Sequence, residues 1–202
     1  MLTRTEQLWR HLLVESLERG NRRHASLTAL ADELGFGVST VHKALQRPAD
    51  MGAVKIRGGG GVRVIDPQRL LLLWAGHRNI KRDARAMKRV ALPAPAIERL
   101  LPSDRFVLGG FGAVVSHEGG NFISEYDRVL CYGDPGDLPR SVREDPSGET
   151  VMMVLEPDPL LDRYGRVTPL AQAYVDLFNV PGWPAARFVS SLNSRILVPG
   201  AA

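Results

Sequence analysis

Ala31, Gly35 and Val41 sit at intervals that restrict their surroundings more tightly than any other feature of the chain. Ser26 is a capping residue, and behind it Leu27, Leu30, Ala31 and Leu34 recur at helical spacing. Gly35-Phe36-Gly37 reads as a tight turn, after which Ser39 or Thr40 opens another helix with Val41, Ala44 and Leu45 facing inward. A small residue at 31 lets the two helices cross closely, and Gly35 takes the left-handed backbone angle that the turn requires. Val41 then locks the later helix onto the earlier one, with Leu30, Leu34, Phe36 and Ala44 filling around it. An amphipathic helix over Thr5–Arg19, with Leu8, Trp9, Leu12, Leu13 and Leu17 on its apolar face, precedes the pair and stops at Gly20-Asn21. The polar stretch NRRH links the two segments.

This pattern, without a gap, resembles the helix-turn-helix of bacterial transcription regulators. The resemblance implies that the outer face of the third helix, namely Ser39, Thr40, His42, Lys43, Gln46 and Arg47, binds DNA. The side chains suit that role. Gln pairs with adenine, Lys and Arg reach guanine or phosphate, and Ser and Thr hydroxyls bind phosphate at a helix start. The competing readings are a plain solvated face, a purely structural helix pair, or a protein-docking winged domain. Pro48 removes a backbone donor and clashes with the preceding turn, which predicts that this helix ends or kinks near Arg47.

The stretch KIRGGGGVRV, Lys55–Val64, places four glycines between two runs that alternate apolar and basic residues. Val54, Ile56, Val62 and Val64 should share one face of a hairpin, with Lys55, Arg57 and Arg63 on the other. That separation needs a connection of odd length, with three residues the expected number. A phosphate-binding loop would need Gly-Lys-Ser/Thr opening a helix, whereas VRVID continues as strand. The stretch therefore reads as the wing of a winged helix. Gly59 and Gly60 permit close approach to a DNA backbone, and the basic residues hold phosphates or enter a minor groove.

Residues 1–89 carry 17 Lys+Arg against 8 Asp+Glu, and residues 90–202 carry 9 against 14, within an overall net charge of +4. A basic first half joined to an acidic second half suggests a nucleic-acid-binding part with a differently employed companion. No apolar run approaches the roughly 18 residues of a membrane span; LLLLWA, Leu70–Ala75, is the longest. The N-terminal stretch lacks a cleavage site, so a cytoplasmic protein without membrane attachment is expected. Cys131 is the single cysteine and the five histidines are dispersed. Neither a structural metal nor a cofactor is expected.

Asp66-Pro67 reads as a capped start of a helix over Gln68–Arg78. Its leucines wrap most of the circumference, which predicts cover on more than one side. The basic run HRNIKRDARAMKRV follows, either a solvated face or added phosphate contact. Beyond Pro93 and Pro95 the sequence predicts an α+β domain, with strands at Arg128–Tyr132 and Val151–Leu155 and helices at Pro169–Phe178 and Pro184–Leu197. The expected organisation is thus a winged helix-turn-helix domain over 1–66, a helical basic junction over 67–93, and an α+β regulatory domain over 94–198.

Gly109-Gly110 before a helix, followed by Glu125-Tyr126-Asp127, loosely resembles the start of a nucleotidyltransferase site, where paired carboxylates hold Mg²⁺. Here the pair precedes its strand, and Glu156 lies at the end of a later one. The whole arrangement, with GGFGAV, YDRVLCYGDP and VTPLAQAYVDLFNVPGWPAARFV, resembles the antitoxin-type regulators of AbiE-like, type IV toxin–antitoxin systems. Thr168-Pro169 and the Tyr174-Val175-Asp176-Leu177 helix carry the C-terminal part of that likeness. The resemblance implies a non-enzymatic, sequence-specific repressor of its own promoter. Its partners would be double-stranded DNA and a cognate toxin, or a second copy of itself through the C-terminal domain. The alternatives are a nucleotidyltransferase-like enzyme with a nucleic-acid-docking winged domain, and a ligand-sensing repressor.

Overall fold

The computed structural model describes residues 1–121 and 123–197, so the expected domain end at Val198 lies outside the described residues. The fold is α+β, and the chain divides into two compact units, Leu2–Arg78 and Asn79 onward. No helix among the described residues is long and apolar enough to cross a membrane.

In the first unit, α1 (Arg4–Leu13) starts at a reciprocal cap in which the Thr3 hydroxyl accepts from the Glu6 amide and the Glu6 carboxylate accepts from the Thr3 amide. It buries Leu8, Trp9, Leu12 and Leu13 and continues as a wider π turn over Val14–Glu18. The Ser26 side chain caps α2 (Leu27–Leu34) by accepting from the Ala29 amide at 2.9 Å. Gly35 follows with φ 68°, Ala31 is buried, and Val41 in α3 (Val38–Asp50) is fully enclosed. β1 (Arg23–His24), β2 (Val54–Ile56) and β3 (Val62–Val64) form an antiparallel sheet in the order β1-β3-β2. The NRRH stretch, read as a link, thus supplies a third strand. Asp66 caps α4 (Pro67–His77), which buries Leu70, Leu71 and Trp74 and leaves Leu72 43% exposed.

α3 does not end near Arg47. It runs through Pro48, which is itself buried, to Asp50. A proline at position 48 removes the amide that would bond the carbonyl of Ala44, four residues earlier. That carbonyl is instead satisfied from outside the helix: the Trp9 indole Nε1–H donates to it at 2.9 Å. The helix then closes at Gly52 (φ 72°), where the Ala53 amide bonds the Pro48 carbonyl at 2.8 Å and the Gly52 amide bonds that of Ala49 at 2.9 Å.

The second unit begins with α5 (Ile80–Asp83) and holds a four-stranded sheet in the order β4-β7-β6-β5. Its strands are β4 (Ala84–Val90), β5 (Val107–Gly109), β6 (Arg128–Tyr132) and β7 (Thr150–Leu155). β6 and β7 are parallel and the other pairs antiparallel. One face carries Val90, Val129, Met152 and Val154, packed with Ile97 of α6 (Ala94–Leu100) and with Phe106. On the other face α7 (Gly110–His117) and α8 (Leu170–Phe178) meet β5 and β6, and α9 (Trp183–Leu192) packs on α8. The Tyr132 hydroxyl donates to the buried Asp176 carboxylate at 2.6 Å, fixing α8 to the sheet.

The helical junction expected over 67–93 is therefore divided. α4 belongs to the first unit, and Ala84–Val90 is an edge strand of the second. Its inward residues include only Ala86 and Val90, with a register shift between Ala84 and Ala86, so the apolar alternation that announces a strand is weak.

Removing the indole donor should cost the usual price of an orphaned buried carbonyl. Trp9→Phe should destabilise the first unit by about 2–3 kcal/mol in chemical denaturation. In a Pro48→Ala background residue 48 regains its amide, so the same change should cost at least about 1 kcal/mol less. Strict additivity of the two substitutions would contradict the compensation.

Candidate functional site

The outer stripe of α3 is open. Ser39, His42, Lys43, Gln46 and Arg47 are exposed and Thr40 is half-buried. They share one side because Val41, Ala44, Leu45 and Pro48 turn the other side inward. Gly37 precedes the helix without a side-chain cap, so no side chain accepts from the first amides of α3. The side chains of Lys43, Gln46 and Arg47 have no ion-pair or hydrogen-bond partner among the described residues. Lys43 and Arg47 also border a cleft of about 580 Å³ shared with Thr5, Trp9 and His77.

The hairpin keeps the expected parity, with Val54 opposite Val64, Lys55 opposite Arg63 and Ile56 opposite Val62. The Arg57 amide bonds the Gly61 carbonyl at 2.8 Å, and the Gly60 amide bonds the Arg57 carbonyl at 2.8 Å. The connection proper is Gly58-Gly59-Gly60, closed by Gly60 at φ 82°. This is a tight turn ending in a left-handed residue. A side chain built at Gly59 or Gly60 would meet nothing within 4 Å, so the tip projects into open space.

Pairing of β1 with β3 adds a residue that sequence reasoning missed. Arg23 lies directly opposite Arg63, which is opposite Lys55 on its other side. Three cations therefore form one row across three strands, with Arg57 just beyond. All four are exposed, and none has an ion-pair partner among the described residues. Like charges directly opposite one another destabilise a sheet. The available signal was the dipeptide Arg22-Arg23 before His24, but a two-residue strand has too little pattern to announce itself. β1 is anchored by His24, half-buried and 5.7 Å ring to ring from His11, whose Nε2 lies 3.5 Å from Glu33. Burial, reinforced by His11, lowers the His24 pKa, while Glu15 and Glu33 oppose the shift.

The basic run after α4 is arranged differently. Arg78 is buried, Arg82 reaches Asp83 at 3.0 Å and Arg85 holds Glu156 at 2.5 Å. Lys88 and Arg89 donate to the carbonyls of Val142 and Gly148. Arg78 closes the first unit, and the groups from Arg82 to Arg89 serve the second unit's own surface.

Glu125 and Asp127 are exposed on the loop before β6, on either side of Tyr126, while Glu156 is engaged by Arg85. Among the described residues no cluster of three His, Cys, Asp or Glu side chains is placed to hold a metal ion. Tyr126 itself turns inward, stacks on Phe111 at 4.9 Å and donates to Glu98 at 2.9 Å. Burial pushes the Glu98 carboxyl up to about 7, against the opposing effect of the Tyr126 hydrogen bond, and its Oε1 has no hydrogen-bond partner among the described residues.

No protein-family model, curated protein or solved structure matches the chain.

Two outcomes follow from this geometry. Replacing Arg63, the middle of the row, by Gln should raise the unfolding temperature of the free protein at low salt, and added salt should shrink the gain. Glu98, raised above its ordinary 4.5, favours folding while protonated. Its contribution is complete below that value and is lost as pH rises through about 7. Thermal melts between about pH 5 and pH 8 should therefore show a smaller loss for Glu98→Gln than for the unaltered protein.

Proposed function

We propose that the first unit is a winged helix-turn-helix and that the chain is a sequence-specific transcription regulator binding double-stranded DNA. The cation row Arg23–Arg63–Lys55 carries this reading, because a row with no acidic partner among the described residues is stabilised when it meets a polyanion. Arg57 and the open glycine tip extend that contact along a backbone or into a minor groove. α3 supplies the sequence-reading part. Gln46 can pair with adenine, Lys43 and Arg47 with guanine or phosphate, and Ser39 and Thr40 sit where a helix start meets phosphate. Continuation of α3 past Pro48 keeps Gln46 and Arg47 within a regular helix, where a groove-reading side chain needs fixed geometry. The antitoxin-like role adds one requirement, that the bound site lie upstream of the protein's own coding sequence.

The test is binding to that upstream duplex at several salt concentrations, with unrelated duplex as competitor. Affinity should fall steeply as salt rises. Lys43→Ala and Gln46→Ala should each lower the preference for the specific duplex by about 1–3 kcal/mol. Arg23→Ala, Arg57→Ala and Arg63→Ala should weaken binding to all duplexes alike and reduce the salt slope by about 1 each. Binding that is absent, or indifferent to salt, would refute the proposal.

A further inference from the structure

The second unit's sheet is only half covered on one face. Alternation places Arg128, Leu130 and Tyr132 of β6, Val151 and Met153 of β7, and Met87 and Arg89 of β4 on the same side. α7 and α8 cover that face over β5 and β6. Toward β4 the cover stops, and Met87 is 65% exposed. What remains is a cleft of about 540 Å³, walled by Lys81 before β4 and by Val180-Pro181 of the turn after α8. That volume suits a small organic molecule.

The cleft has two chemically distinct ends. Met87, opposite Met153, forms an apolar floor with Leu130. One step along the strands, Arg89 and Arg128 flank Val151 from opposite sides. Arg89 is steadied by a hydrogen bond to the Gly148 carbonyl at 3.1 Å, which engages one of its nitrogens. Arg128 has only a 3.6 Å contact with Asp127, itself 60% exposed. Lys81 has no ion-pair partner among the described residues, and Glu144 is the one acid among the described lining residues. A surplus of positive charge thus adjoins an exposed apolar surface. Guanidinium forks match a carboxylate in plane and in donor spacing. Methionine side chains adapt to ligand shape instead of dictating it.

We infer that this cleft binds a small amphipathic carboxylate, with its anionic head between Arg89 and Arg128 and its apolar body over Met87 and Met153. The inference concerns the second unit alone and does not depend on DNA binding. Isothermal titration of the full chain with decanoate and naphthoate, and with the corresponding uncharged alcohols, tests it without any nucleic acid. The carboxylates should bind with a dissociation constant below about 1 mM and at least about tenfold more tightly than the alcohols. Arg89→Gln and Arg128→Gln should each weaken carboxylate binding about tenfold and leave alcohol binding unchanged. Met87→Glu, at a position 65% exposed, should abolish carboxylate binding from the apolar end. Equal binding of acid and alcohol, no binding at about 1 mM, or arginine variants that bind like the unaltered protein would each overturn the inference. So would loss of self-association in Met87→Glu without any ligand binding, since that outcome would assign the face to a second copy of the chain.

Discussion

The carbonyl of Ala44 has no amide beneath it, because Pro48 occupies the position that would supply one. The Trp9 indole, from another helix, fills that gap with a buried hydrogen bond at 2.9 Å. The same ring meets His77 edge-on at 5.4 Å, so one side chain touches α1's partner helices on both sides. With the carbonyl satisfied, α3 continues to Asp50 and closes at Gly52, which delivers the chain to β2 at Val54 in a defined register. The regularity of α3 around Gln46 thus rests on this one compensated proline. Without the indole donor, the Ala44 carbonyl would be left unpaired beside the proposed reading residues.

Charge distribution takes a different form once the units are distinguished. Leu2–Arg78 carries 12 Lys+Arg against 7 Asp+Glu, and Asn79 onward carries 14 against 15. The imbalance between chain halves is thus moderate between folded units, since the basic run at 81–89 belongs to the second. There it serves ion pairs, backbone carbonyls and the rim of the cleft on the open sheet face. In the first unit position matters more than net charge. Arg23, Arg63 and Lys55 are held in line by strand pairing, and among the described residues no acid pairs with them.

Where local chemistry decides, the sequence was readable. Ser26 and Asp66 cap their helices, Gly35 takes its left-handed angle, and parity alone kept Lys55 and Arg63 on one side of the hairpin. The outer stripe of α3 was equally legible from the buried positions opposite it. Partners distant in sequence were not. Pro48 read as a stop because its remedy, Trp9, lies 39 positions earlier. β1 is two residues long, and Arg23 acquires its meaning only when β3 pairs beside it. β4 hid because charged and polar-flanked positions occupy most of an edge strand, where solvent accepts them.

Hydrogen exchange of the full chain, alone and with duplex DNA at low salt, tests most directly whether the row and α3 act together. The account predicts added protection in α3 around 38–47, in β1 at 23–24 and across the hairpin at 55–63, with the second unit's sheet unchanged. Protection confined to residues beyond Asn79, or absent from both α3 and the hairpin while DNA is bound, would contradict it.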